Sequence, residues 1–201
     1  MFPRMRTAVI VGAAVLAGMA GCQRSKIAQT LDTTINTKTE SSDLDFWHQL
    51  PGRSAVTNSE GLHGVLLLAD GSDPTTSWEE RLALLKERGW VSESFAQAGD
   101  ETIDRGTLAK ALCHALDIKG GVMMQLTGKM PRYALRELTY LRVMAASTEN
   151  QIVNGLDYIG IMSKAQDYAM LQETKKAKSS GGNAPAQPAP NAEPAPAETA
   201  P

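Results

Sequence analysis

The chain has 201 residues, 42% of them hydrophobic and 21% charged, with a net charge of −2. That suffices for one domain or two small ones, and so even a charge balance excludes a strongly basic nucleic-acid binder. Two cysteines and three histidines exclude a disulfide-rich scaffold and leave little for a metal site, and no apolar run is long enough to build a polytopic membrane protein.

Arg4 and Arg6 open the chain with a short basic stretch, and Thr7 to Ala20 is apolar. That stretch is too short to span roughly 30 Å of hydrocarbon as a helix. It ends in Met19-Ala20-Gly21-Cys22. Small residues just before a cysteine, straight after such a segment, resemble the lipobox of bacterial lipoproteins, with Met19 where leucine is usual. The resemblance implies that residues 1–21 are a removable signal peptide. It implies that Cys22 is thioether-linked to diacylglycerol and acylated, by palmitate or a similar chain, at its new amino terminus. Two or three fatty chains make a firm membrane anchor where one does not. Gln23 replaces the family's inner-membrane retention aspartate, which points to the outer membrane of a cell that has one. Without Arg4 and Arg6 the chain keeps 18 basic and 22 acidic side chains, net −4.

Residues 22–42 are rich in Ser, Thr, Asn and Asp, the composition of a polar tether. At the other end, thirteen of the twenty-one residues from Gly181 to Pro201 are Ala or Pro. Residues 174–201 thus read as a disordered tail with nothing to bury. Between them, residues 43–173 can form one hydrophobic core.

The core region reads as all-α. Val65 to Leu68 falls in a helix expected over 61–70. Ser77 caps a helix from Trp78, with Glu79 and Glu80 favourable to its dipole and Gly89 as its stop. Asp104 to Leu116 places Leu108, Leu112, Ala115 and Leu116 on one face. Gly120-Gly121 reads as the stop after it. Pro131 opens a helix expected to reach Met144, and a last helix is expected over 154–171. Met123, Met124 and Met130 read as core filler, Cys113 as a small buried hydrophobe, and Phe46-Trp47 as a clip of the tether onto the core.

Three short stretches recur within this pattern. Val56-Thr57, Ile103-Asp104 and Val153-Asn154 each put a branched residue and a capping residue before an apolar helix, 47 and then 50 residues apart. Periods of this size mark stacked supersecondary units. A unit of helix, loop and capped helix, occurring about three times, resembles the S-layer homology domain. That family pairs a Trp-led helix ending in Gly with a second helix opened by a Thr-Arg-Ala-Glu-like motif, and its three units grip cell-wall polysaccharide in grooves between them. Here Thr57 and Glu60 match in the first copy, Arg105 in the second and Asp157 in the third. Asn58 and Gly155 stand where the family has arginine, and Asp104 and Thr107 replace its threonine and acid.

Little in the chain points to catalytic chemistry. No phosphate-binding glycine pattern is present, His48, His63 and His114 lack ligand spacing, and Glu79, Glu80, Glu87, Glu93 and Asp100 read as solvated helix faces rather than a glycosidase pair. Arg132 and Arg136 share one face of the helix from Pro131. Guanidinium forks suit carboxylate and phosphate, so Arg105, Arg132 and Arg136 are the expected donors to an anionic ligand. The expectation is a non-enzymatic envelope lipoprotein, without cofactor or metal, lipid-anchored at Cys22 and binding envelope glycan. The alternatives are an assembly lipoprotein docking on another envelope protein and, more distantly, a cell-wall hydrolase.

Overall fold

Local capping chemistry sets where the helices of this chain begin. A computed structural model describes residues 24–31 and 40–180. Thr57 forms a reciprocal capping box with Glu60 at the start of a helix, Ser77 accepts the Glu80 N–H, and Asp104 accepts the Thr107 N–H. Pro131 stands at the first turn of another helix, its missing N–H costing nothing there. The described residues form seven α-helices: α1 (Glu40–Gln49), α2 (Asn58–Asp70), α3 (Trp78–Glu87), α4 (Arg105–Ala115), α5 (Val122–Leu126), α6 (Pro131–Tyr140) and α7 (Gly155–Ser180). A 3-10 turn, Leu50–Gly52, follows α1. The fold is all-α, with three isolated antiparallel bridges among the described residues.

In chain order the elements fall into three helix–loop–capped-helix stretches, α1–α2, α3–α4 and α6–α7, and the helices pack chiefly between stretches, α4 against α6, α2 against α4 and α2 against α7. The apolar residue before each cap, Val56, Ile103 and Val153, is completely buried in one shared core. Around them pack Leu62, Leu66, Leu108, Leu112, Leu138 and Tyr158, each also fully buried.

Several boundaries differ from expectation, each for a local reason. α6 ends at Tyr140 instead of reaching Met144, because Arg142 adopts a left-handed conformation (φ 61°). Val143 and Met144 then fold back, both donating to the Leu138 carbonyl. Gly89 holds the same place after α3 (φ 70°). The stop after α4 is Asp117 (φ 49°), while Gly121 precedes α5 as its N-cap. α7 runs on to Ser180, past the expected limits at 171 and 173. Gln172, Glu173, Lys175, Lys176, Ala177 and Lys178 are good helix formers, and the lysines suit the negative end of the helix dipole. Of the three methionines expected in the core, Met124 is buried whereas Met123 and Met130 are exposed.

The amino-terminal tether is shorter than its composition implies. Residues 24–31 lie against the domain: Ile27 N–H donates to the Asp100 carbonyl, Thr102 N–H to the Ser25 carbonyl, and Lys26 bridges Glu101. Polar composition alone cannot reveal this contact, because backbone groups make most of it. α1 begins at Glu40, inside the range assigned to the tether. Cys22 and the Ala/Pro-rich residues 181–201 lie outside the described residues. Phe46 and Trp47 do clip α1 to the core: Phe46 meets the His63 ring edge-on at 4.9 Å, and Trp47 stacks on Tyr158 at 6.3 Å.

Candidate functional site

The three capped helix starts meet at one centre. Val56 N–H donates to the Val153 carbonyl at 2.8 Å, and Ile103 N–H to the Val56 carbonyl at 2.9 Å. Thr57 bridges Thr102, and Asp104 bridges Ile152. Arg105 and Gly106 N–H groups reach the Gln151 and Glu149 carbonyls at 2.9 and 2.8 Å. These bonds satisfy backbone donors that a helix start leaves unpaired.

Each copy then ties its carboxylate to an arginine. In the first, fully buried Glu60 accepts from Thr57 N–H (2.8 Å), Arg53 (2.5 Å) and Leu31 N–H (2.7 Å). In the second, Asp104 holds Thr107 N–H with one oxygen and Arg24 with the other, at 2.6 and 2.8 Å. In the third, Asn154 caps Asp157 N–H at 2.8 Å, and Asp157 accepts from Arg105 at 2.7 Å.

The departures from the S-layer-homology-like motif have steric and polar reasons. Gly155 N–H donates to the Arg53 carbonyl, and a Cβ at Gly155 would lie 1.7 Å from the Leu50 carbonyl oxygen, so no arginine fits there. Asn58 uses its amide to reach the Ala98 carbonyl (2.9 Å) and Gln97 (3.2 Å). Arg105, the arginine that remains, is only 5% exposed.

The three expected donors are therefore not equivalent. Arg105 is turned inward and committed to Asp157. Arg132 and Arg136 are exposed on α6, and their side chains make no hydrogen bond or ion pair among the described residues. Arg136 lines a shallow groove of about 340 Å³ with Leu135, Thr139, Tyr140 and Ser147; Arg105 and Arg132 do not line it. Tyr140, not among the residues expected from the sequence, is 81% exposed. Its one legible signal is an aromatic residue on the polar side of a helix otherwise anchored by Leu135 and Leu138. A guanidinium, an aromatic face and two hydroxyls are the groups that bind sugars carrying an acid: the ring stacks and the fork pairs.

Two other hollows are larger. One, about 670 Å³, is largely apolar and lies among Trp47, Leu67, Leu68, Ile159, Met162 and Met170. The other, about 620 Å³, is bordered by Arg24, Lys26, Ser94, Phe95, Gln97 and Glu101.

A second polar cluster, also missed, is buried. Asp73 accepts from Arg81 Nε at 2.6 Å, contacts His63 Nδ1 at 2.7 Å and accepts from the Thr75 N–H and hydroxyl at 2.9 and 2.6 Å. Arg81 also donates to the Ser59 hydroxyl at 2.8 Å. This ties the loop after α2 to α2 and α3. Cys113 has the opposite character to a nucleophile: burial pushes its thiol up to about 12, and its Sγ faces the Ala134 carbonyl. Burial, then Lys129 and Lys110, hold His114 down at about 4. Among the described residues no group of three or more His, Cys, Asp or Glu could hold a metal ion, and no helix is long and apolar enough to cross a membrane.

No protein-family model matches this chain, and no curated protein and no solved structure matches it.

Proposed function

We propose that this chain is a non-enzymatic envelope lipoprotein, anchored through lipid at Cys22, whose helical repeat domain binds acidic cell-wall or surface glycan. In a cell with two membranes its place is the outer one. The carrying observation is the joining of three capped helix starts, 47 and 50 residues apart, around Val56, Ile103 and Val153. This is the arrangement expected of a module similar to a degenerate S-layer homology domain. The ligand donors shift within that reading. Arg136 and Tyr140 form the groove, Arg132 one turn earlier extends its positive edge, and Arg105 holds the third copy's Asp157 instead of meeting ligand.

The test is co-sedimentation of the soluble chain, with Cys22 replaced, on purified cell-wall material. Salt-sensitive binding weakened about tenfold by Arg136→Ala, which is about 1.4 kcal/mol, and also weakened by Tyr140→Ala, is expected. Absence of binding by the folded chain sinks the glycan reading. The second reading, docking on another envelope protein, is favoured by the apolar hollow beside Trp47 and the exposed Met170 at its rim. Crosslinking from Met170 in intact cells to one protein, with no cell-wall binding, would establish it.

A further inference from the structure

Arg24 stands two residues after Cys22 and is fastened to the domain. Its guanidinium donates to Asp104 at 2.8 Å and to Gln97 at 3.0 Å. The next residues hold by backbone bonds between Ser25 and Thr102, at 3.2 Å, and between Ile27 and Asp100, at 3.0 Å. Lys26 adds a long contact with Asp100, and Leu31 N–H closes on Glu60. The segment is attached at both ends and in the middle, so residues 24–31 carry no slack. Two extended residues reach at most about 7 Å.

We propose that the protein has no free spacer at its anchored end: the domain sits directly on the lipid surface, with residues 24–26 and the loop 92–101 against the headgroups. The proposal rests on lipidation of Cys22. An acylated Cys22 lies at the edge of the acyl region, and about 7 Å of chain cannot carry a fastened Arg24 beyond the headgroup layer. Ser92 and Ser94, exposed on the loop beside Arg24 and Lys26, then face the membrane.

Charge does not drive this contact. Arg24 is spent on Asp104, and Lys26 stands beside Asp100 and Glu101, so the face carries no basic excess. A polybasic surface would bind anionic lipid and release in salt. Here the covalent anchor imposes the geometry, and neither anionic lipid nor salt should alter it.

The experiment uses the mature acylated protein carrying Ser94→Cys, labelled there with a fluorophore and reconstituted in phosphatidylcholine vesicles with a headgroup-linked quencher. Cys22 is consumed by its thioether and Cys113 is fully buried, so labelling is confined to position 94. Strong quenching is expected, unchanged by 0.5 M salt or by added anionic lipid, and reduced at least threefold when about twenty Gly/Ser residues are inserted between Gln23 and Arg24. The same quenching with and without the insertion, weak quenching in both, or release by salt would each overturn the proposal. Mass measurement of the amino-terminal peptide separates the two levels: an unmodified Cys22 overturns the anchor reading itself, and this one with it. Ser92→Cys, on the same loop, serves if the first variant does not fold.

Discussion

Asp73 is held by His63, Arg81 and both the N–H and the hydroxyl of Thr75, and its energetics can be worked out. Burial alone would raise its pKa. Hydrogen bonding with His63 and Thr75, together with the Arg81 charge, outweighs that and holds the carboxyl at about 2. A carboxyl depressed on folding stabilises the fold while ionised. The contribution is complete above about pH 4 and is lost as pH falls through about 2, amounting to about 2 kcal/mol. Asp73→Asn should cost more at neutral pH, about 3–5 kcal/mol, because it leaves Arg81 buried without its counter-charge. Denaturant unfolding at pH 7 and pH 2.5 checks both: the wild type should lose stability between the two, and the variant should lose less. His114 acts in a different window. Its folded pKa of about 4 lies below the unfolded value, so the neutral form is favoured and stability declines as pH falls from about 6.5 towards 4. His114→Gln should flatten that limb in the same titration, and an unchanged slope would rule out this residue as its source. Neither role was legible beforehand. Arg81 lies four residues before Leu85 among leucines, where an arginine reads as a solvated edge, and its partner sits eight residues away in a loop that no helical periodicity locates.

Helix starts were more legible than helix ends. Thr57, Ser77, Asp104 and Pro131 announce their helices through side-chain chemistry that acts within three or four residues, and the structure begins α2, α3, α4 and α6 beside them. The ends depend on backbone conformations that residue type marks only when glycine supplies them. Gly89 does; Arg142 takes the same left-handed turn without glycine's freedom. A non-glycine residue there costs about 1–2 kcal/mol, partly offset by the greater unfolded-state entropy of glycine. The Arg142 side chain is exposed and makes no hydrogen bond or ion pair among the described residues. Arg142→Gly should therefore stabilise the domain by up to about 1 kcal/mol, read as a higher midpoint at unchanged denaturant slope. A lower midpoint would show that the arginine makes contacts outweighing its strain. Gly155 is the converse case. Its Cβ would collide with the Leu50 carbonyl rather than with a flexible side chain, so relief requires the 3-10 turn to move away from α7. Gly155→Ala should cost about 3 kcal/mol or more. The absence of an arginine in the third copy, which the motif alone leaves unexplained, is a packing requirement.

At the scale of the whole molecule, the amino-terminal segment and the threefold centre are one structure. Leu31 and Arg24 reach Glu60 and Asp104, two of the acids that organise the capped starts, and Arg53 clamps the segment between Glu60 and the Gln29 carbonyl. A tether would contribute nothing to folding, whereas this segment supplies several backbone hydrogen bonds and the partly buried Leu31 side chain packed on the core. At about 0.5–1.5 kcal/mol net for each bond, less the cost of ordering eight residues, removing it should destabilise the domain by about 3 kcal/mol. For a domain of this size that is a fall of roughly 10 °C in Tm. Thermal unfolding of the soluble chain beginning at Gln23 against one beginning at Asp32 makes the comparison. Arg24→Ala isolates one contact and should account for about 1 kcal/mol of the difference, with Glu60 still satisfied by Leu31 and Arg53. Equal melting of the two chains would mean that the segment rests on the domain without supporting it. A large difference would mean that tension on the anchor acts directly on Asp104 and Glu60, and through them on the starts of α4 and α2. Because these bonds join the segment to strands of backbone far away in sequence, no composition or periodicity within residues 22–42 could have distinguished it from a free spacer.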